Sequence, residues 1–352
     1  MAIVANTYAH VIGIDTHART HTLTLVTAAT GAVEASASFP ATGAGMSRAV
    51  TWMIRRIQAL TLTLVVIEGI GAYGAQLAHA CRDADLRVVE PLPTPKGLRA
   101  GRGKSDPIDA ELIARSVLAA DTMRLREPRT DAGVRAAARI LVGAREQLNA
   151  YRIATINALT ALVRTVDLGI DARRPLTSVQ IATIDAWRDR SEDLDIATAR
   201  REARRMARVI RTTEDDLAAN ERDLAALVAA SDAAPLLDMP GVGAITAATI
   251  LTSWSHAGRI HSEAAFAAIA GVNPIPASSG NTSKHRLNRG GDRRLNRALH
   301  AITLTRMAHH QPTKDYVARR RTDGLSTKAI RRCLKRYLAR QIYRTLTNPT
   351  PA

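Results

Sequence analysis

Apolar and polar positions along the first third of the chain fall into short alternations and runs rather than long helical stripes. His10–Ile14 is apolar and β-branched, Thr22–Val26 alternates threonine with leucine, and Val33–Phe39 alternates again after the turn-like Thr30-Gly31. Each predicts a strand. Gly43–Leu60 repeats apolar residues at helical spacing, and Leu62–Ile67 is a mostly apolar run suited to a buried central strand. Gly69-Ile70-Gly71 opens a predicted helix to about Arg82, Leu86–Val89 reads as another buried strand, and a last helix runs from Asp106 to Ala120. Three strands followed by alternating helices and strands predict a mixed α/β sheet.

From about residue 130 to 235 the pattern changes to Ala, Arg, Glu and Leu with few glycines. Ala203, Met206, Ile210, Thr213, Leu217, Asn220, Leu224 and Leu227 recur in steps of three and four, the seam of a helical hairpin or coiled coil. We expect an oligomerising arm in preference to an intramolecular bundle, with Asn220 as a candidate register residue. A third segment opens at Pro235, where Pro240-Gly241-Val242-Gly243 leads into a helix from Ala244 to Leu251. Gly241 and Gly243 permit a tight turn, and the helix N-terminus behind them offers unpaired N–H groups to an anion, as in a helix-hairpin-helix. A plain helix–turn–helix joint fits the same residues. The expected organisation is an α/β domain at 1–130, a helical coiled-coil region at 131–234 and a mainly helical domain at 235–346.

Charge narrows the functional class. The 352 residues carry a formal net charge of +17, which points to a polyanionic partner. Aromatics make up 3% of the chain, too few for stacking platforms under single-stranded bases, so Arg and Lys contacts to phosphate should dominate. Tyr316–Tyr343 is helical and carries nine Arg or Lys against the single acid Asp323. Lys284, Arg286, Arg289, Arg293, Arg294 and Arg297 form a second basic run, interrupted by Asp292 alone. Cys81 and Cys333 are far apart and in no metal-ligand spacing, which predicts free thiols in a reducing cytosol. The N-terminus has no basic-then-apolar leader pattern, and no apolar run is long enough to span a bilayer. A cytoplasmic nucleic-acid-associated protein is the expectation.

Candidate chemistry lies in four acids. Asp15 follows the first predicted strand, Glu68 follows the strand Leu62–Ile67, and Asp106 and Asp109 sit three residues apart at a predicted helix start, just after Lys104. Residues at i and i+3 share a helix face, and Pro107 suits a first turn. If the strands before Asp15 and Glu68 are parallel neighbours, both acids leave the same end of the sheet, and Asp106 and Asp109 can complete a cluster. Hard oxygen ligands suit Mg²⁺ or Mn²⁺ rather than zinc, and such ions can clamp the attacking and leaving oxygens of a phosphodiester. Each acid alone would equally serve as an end cap.

Gly13-Ile14-Asp15, Ile67-Glu68-Gly69 and Lys104-Ser105-Asp106-Pro107-Ile108-Asp109 together resemble the DEDD transposases of the insertion-sequence family one-ten. Pro240-Gly241-Val242-Gly243, Phe266–Pro274, Ser278-Ser279-Gly280 and Asn288–Arg293 continue that resemblance in family order over nearly the whole chain. The resemblance implies a ribonuclease-H-like, resolvase-like first domain whose metal-binding acids are Asp15, Glu68, Asp106 and Asp109. It also implies a serine nucleophile before a glycine, which maps onto Ser279, and a covalent phosphoserine in DNA strand exchange. Partners implied are double-stranded DNA, a guide (bridge) RNA from the element, and further copies of the chain, as a dimer to tetramer. Read from its residues alone, Pro274–Gly280 is an exposed loop able to bring a hydroxyl to a phosphate. Lys284 and His285 match no base–nucleophile spacing, and Ser278 is an adjacent alternative. Lys104, Gly241, Gly243, Lys284, Arg286, Arg289, Arg293, Arg294 and Arg297 are the expected nucleic-acid contacts. A junction-resolving nuclease that uses the acids and water, or a non-catalytic nucleic-acid chaperone, are the rival readings.

Overall fold

A computed structural model describes residues 2–93, 103, 105–129, 132–277 and 285–348, which divide into two compact units, 1–131 and 132–352. Lys104, Ser278, Ser279 and Lys284 lie outside the described residues.

The first unit begins with a helical turn, α1 (Val4–Thr7), and is built on a five-stranded sheet. Its strands are β1 (His10–Thr16), β2 (Thr20–Thr27), β3 (Val33–Pro40), β4 (Thr63–Ile67) and β5 (Arg87–Val89), in the order β3-β2-β1-β4-β5. The first three form an antiparallel meander, while β4 and β5 run parallel to β1 through the helices α2 (Gly43–Ile54) and α3 (Ala75–Asp83). This mixed sheet flanked by helices is the ribonuclease-H-like arrangement.

Strand periodicity sorts the core into two layers. Ile12 and Ile14 face one way, with Leu23, Leu25, Val65 and Ile67, and are covered by Met46, Ala49 and Met53 of α2 and Leu77, Ala78 and Cys81 of α3. Val11, Val26, Leu64 and Val66 face the other way, against Ile113, Ala114 and Val117 in and beyond α4 (Asp106–Arg115). Each fully buried aliphatic side chain here contributes about 1.5–3 kcal/mol. Burial in apolar surroundings also pushes the Cys81 thiol up to about 12, so it is an inert core residue; Cys333 is likewise free.

Three helix boundaries differ from expectation. The helix from Gly43 stops at Ile54, and Leu60 falls in a short 3₁₀ turn leading into β4. The predicted start at Gly69–Gly71 is a series of turns, and α3 begins only at Ala75. Gly69 takes φ 67°, where glycine is favoured and an α-helix cannot continue. The helix from Asp106 ends at Arg115 rather than Ala120.

The second unit is mainly helical. Two long helices, α5 (Gly133–Thr165) and α7 (Leu194–Ala229), form an antiparallel hairpin with α6 (Ser178–Asp185) packed on α7. Ala203, Ile210, Thr213, Leu217, Asn220 and Leu224 of the predicted seam are buried within the chain. Asn220 donates through Nδ2 to the Leu141 carbonyl (3.0 Å), and Arg145–Glu221 (3.1 Å) and Arg152–Glu214 (2.9 Å) flank the same contact. The seam is therefore spent on an intramolecular hairpin, because α5 supplies the apolar face that a second copy would otherwise provide. Then follow α8 (Ala244–Trp254), α9 (Glu263–Ile269), the hairpin β6 (Pro274–Pro276) and β7 (His285–Leu287), and the helices α10 (Arg293–His309), α11 (Gln311–Thr322) and α12 (Thr327–Thr347). One core unites Val142, Leu224, Trp254, Phe266, Leu299 and Ile342 from six of these helices. Among the described residues no helix is long and apolar enough to cross a membrane.

Candidate active site

Strand β1 carries Val11, Gly13 and Asp15 on its α4-facing side, and His17 continues the same two-residue period. Gly13 decides how close α4 can come. A Cβ there would sit 2.0 Å from the Ala110 carbonyl oxygen and 2.5 Å from the Ala114 nitrogen, so only glycine admits the helix backbone against the strand. Thr24, opposite Gly13 on β2, donates to the Pro107 carbonyl (3.3 Å) and holds the start of α4. The first turn of α4 carries Asp106 and Asp109, where acids complement the helix dipole.

This packing gathers Asp15, His17 and Asp106 so that one ligand atom from each lies within 4.8 Å of the others. His17 Nε2 lies 3.0 Å from Asp15 Oδ2 and 3.6 Å from Asp106 Oδ1. Asp15 is 7% exposed, whereas His17 and Asp106 are open to solvent. Burial raises the Asp15 carboxyl above its ordinary range; the adjacent imidazole opposes that shift, and the charges of Asp106 and Asp109 add to it. Two carboxylates and an imidazole, with a third carboxylate repelling the buried one, form a donor set that a divalent cation relieves. The residues present fit such an ion.

Glu68 follows β4, and β1 and β4 are parallel neighbours with Ile14 opposite Ile67, so Asp15 and Glu68 leave corresponding strand ends. The Glu68 N–H donates to Ile14 O (3.1 Å), and Thr16 Oγ1 donates to Glu68 O (2.8 Å). Its side chain is exposed and stands outside the Asp15–His17–Asp106 group. His17 was not among the sequence candidates. Its signal was the period of two, which sets it on the same strand face as Asp15.

In the second unit the segment 277–284 joins β6 to β7, whose ladder ends with Pro276 opposite His285. Neighbouring motif residues secure that hairpin. Asn288 Nδ2 donates to Asn273 Oδ1 (2.7 Å) and Ala268 O (3.2 Å), and Asn296 Nδ2 donates to Ala270 O (2.7 Å). Gly291, at φ 93°, has room only for a hydrogen, since a Cβ would lie 2.5 Å from Ile269 O. Asp292, the lone acid of this basic run, caps α10 by accepting from the Arg294 and Leu295 amides, and Ser253 Oγ donates to its other oxygen (2.7 Å). It is a structural cap of the helix.

The six expected cations of that run are not equivalent. Arg286, Arg289 and Arg293 are exposed with no ion pair among the described residues. Arg294 and Arg297 share Glu146 of α5, the first at 2.7 Å. These two are half-committed to protein, which their position in the sequence did not reveal. Before α8, Gly241 takes φ 77° and packs on α10, where Arg306 Nε donates to Pro240 O (2.6 Å). Gly243 is exposed at the α8 N-terminus, and its N–H donates to Thr246 Oγ1 (3.1 Å). A single short 3₁₀ turn, Ala234–Asp238, precedes this joint in place of a long first helix.

Two family models match the chain. A DEDD transposase model aligns with residues 12–166, which include Asp15, Glu68, Asp106 and Asp109. The model of the transposase IS116/IS110/IS902 family aligns with residues 233–318, from the turn before α8 through the β6–β7 hairpin into α11. No curated protein matches the chain.

Proposed function

The chain belongs to the IS110-type DEDD transposases, enzymes of DNA recombination, and we propose that it moves an insertion sequence by cutting and rejoining DNA through Ser279. The observation that carries this reading is the meeting of Asp15, His17 and Asp106 where α4 packs on Gly13 of β1. A family that acts on DNA and an acid cluster that calls for a cation fit one chemistry, phosphoryl transfer. Asp15 and Asp106 would hold Mg²⁺, with Asp109 and Glu68 at its margin and His17 as a further donor. The bound ion would supply Lewis-acid stabilisation of charge on the phosphate oxygens.

The remaining work falls to the chain's own residues. Ser279 attacks phosphorus through Oγ, forming the Oγ–P bond as the P–O3′ bond breaks. The serine proton passes to water, and the departing 3′ oxygen takes up a proton. Bond energy is kept in the phosphoserine, so a second 3′ hydroxyl can reverse the step and seal the exchanged strand. Arg286, Arg289 and Arg293, on β7, the following loop and α10, would hold strand phosphates. Lys104 and Lys284 would add further phosphate contacts, and Gly241 and Gly243 a backbone contact. We assign sequence choice to pairing between DNA and a bridge RNA, which accords with the low aromatic content. Assembly is proposed as a dimer to tetramer, in the cytoplasm, with acids and serine from different copies completing one site.

Covalent trapping tests the reading. Wild type incubated with end-labelled element DNA, guide RNA and Mg²⁺ should leave a protein–DNA adduct on a denaturing gel, and Ser279→Ala should leave none. Cleavage that persists in Ser279→Ala would instead assign the acids to a water-using nuclease.

A further inference from the structure

The β6–β7 hairpin and α12 enclose a cleft of about 420 Å³ that the transfer chemistry above does not use. One wall is Gly271–Pro274 with His285, Arg286 and Leu287. The other is a single face of α12, formed by Ala329, Arg332, Cys333, Arg336 and Tyr337 at helical spacing. A second cavity shares His285, Arg286, Leu287 and Arg332 with it and adds Ile275, Arg289 and Lys328.

Three features define what this cleft would accept. Its floor is apolar and open: Leu287 is 50% and Tyr337 48% exposed. Its rim is cationic and, among the described residues, is lined by no Asp or Glu. On that rim Arg336 Nη1 is shielded from solvent with no hydrogen-bond partner among the described residues, although Glu263 lies within electrostatic reach of the guanidinium. Lys335, by contrast, is occupied by Asn296 Oδ1 (2.7 Å), and burial lowers its proton affinity.

Apolar walls with a cationic rim match a nucleobase joined to a phosphate. The volume suits one small ligand and is far too narrow for a duplex. We infer that this cleft takes one unstacked nucleotide of a DNA strand, its base against Tyr337, Leu287 and Val272 and its phosphate against Arg332 and Arg336. This rests on the reading of Ser279 as nucleophile, because β6 and β7 lead directly into and out of the segment bearing it. Splaying one nucleotide from the stack beside the reacting phosphate would fix that phosphate in position. Arg332, Arg336 and Tyr337 are then positioning residues.

The test uses the full chain with Ser279→Ala, so that no strand is consumed. A fluorescent oligothymidylate of eight nucleotides with a central 4-thiothymidine should crosslink under light to the peptide containing Tyr337 or to that containing Leu287. By anisotropy, Tyr337→Ala should weaken its binding about tenfold, the loss of one base–aromatic contact. Tyr337→Phe should bind like the parent, which separates loss of the ring from loss of the fold. Removing both Arg332 and Arg336 should lower the salt slope by about 1.4. Crosslinks confined to other peptides, or equal binding by Tyr337→Ala, would overturn the inference. Tighter binding of the matching oligouridylate would assign the cleft to RNA and overturn it as well. Adduct formation by the serine-bearing chain is scored in parallel: an intact adduct without the crosslink removes the cleft alone, and a crosslink without any adduct removes the role of Ser279 alone.

Discussion

The acid site on β1 and α4 and the basic residues of β7, α10, α11 and α12 are built in opposite ways. In the first unit the backbone does the placing: strand period sets Asp15 and His17 side by side, and one missing Cβ at Gly13 lets α4 deliver Asp106. In the second unit many long cationic side chains each contribute a little, and several are already engaged by Glu146, Glu263, Asp323 or Asn296. A site placed by backbone should fail at a single substitution. A face assembled from independent charges should fail by degrees.

The largest single effect is therefore expected at Gly13. Gly13→Ala drives a methyl into the Ala110 carbonyl, so α4 must shift, at a cost of about 1–3 kcal/mol. Thermal unfolding should show that loss, and DNA cleavage should vanish with it. If Gly13→Ala cleaves normally, close packing of α4 is not what places Asp106.

Asp15→Asn separates activity from stability within the first unit. Cleavage should disappear, yet in the absence of divalent metal the variant should be at least as stable as wild type near neutral pH. The sign follows from linkage. Burial and neighbouring acids raise the Asp15 pKa in the folded chain, so the folded state binds its proton more tightly than the unfolded state. The contribution of Asp15 is thus most favourable below its unfolded pKa and declines as pH rises through its folded value. The stability difference between wild type and Asp15→Asn, followed by denaturant titration from pH 3 to 7, should move steadily against wild type. Divalent metal should reverse it. A difference that moves toward wild type with rising pH, without metal, would contradict the burial argument.

Graded behaviour is expected in the second unit. Replacing Arg286, Arg289 and Arg293 by alanine should reduce the salt slope of duplex DNA binding by about 2.7, one counterion contact each. Replacing Arg294 and Arg297 should change the slope by less than about 1.8, because Glu146 already offsets part of their charge. Equal slopes per arginine in the two sets would show that the Glu146 pairs open on binding.

These differences also explain what the sequence made legible. Alternation in Thr22–Val26 and Val33–Phe39 and the apolar run before Glu68 were sufficient for the sheet, because a buried face enforces a period of two. The four acids stood out because they end strands or begin a helix. His17 escaped notice because its meaning depends on α4, which is distant in sequence. The Gly69–Gly71 stretch misled because glycines can open a helix or form the turn before one, and only the positive φ at Gly69 decides between them. The seam from Ala203 to Leu227 correctly marked a two-helix contact, but a period cannot say whose helix fills it, and here α5 does. Pairing of Arg294 and Arg297 with Glu146 was invisible for the same reason: the acid lies on α5, far from them in the chain.

We expect Asp15 and Asp106 to form a metal site before any DNA arrives. Titrating the full chain with Mn²⁺ and following free ion by electron paramagnetic resonance tests it without depending on catalysis. Wild type should take up Mn²⁺ saturably, Mg²⁺ should compete, and Asp15→Asn with Asp106→Asn should lose that uptake while keeping its thermal transition. Undiminished uptake by a folded double variant would show that Asp15 and Asp106 do not hold the ion.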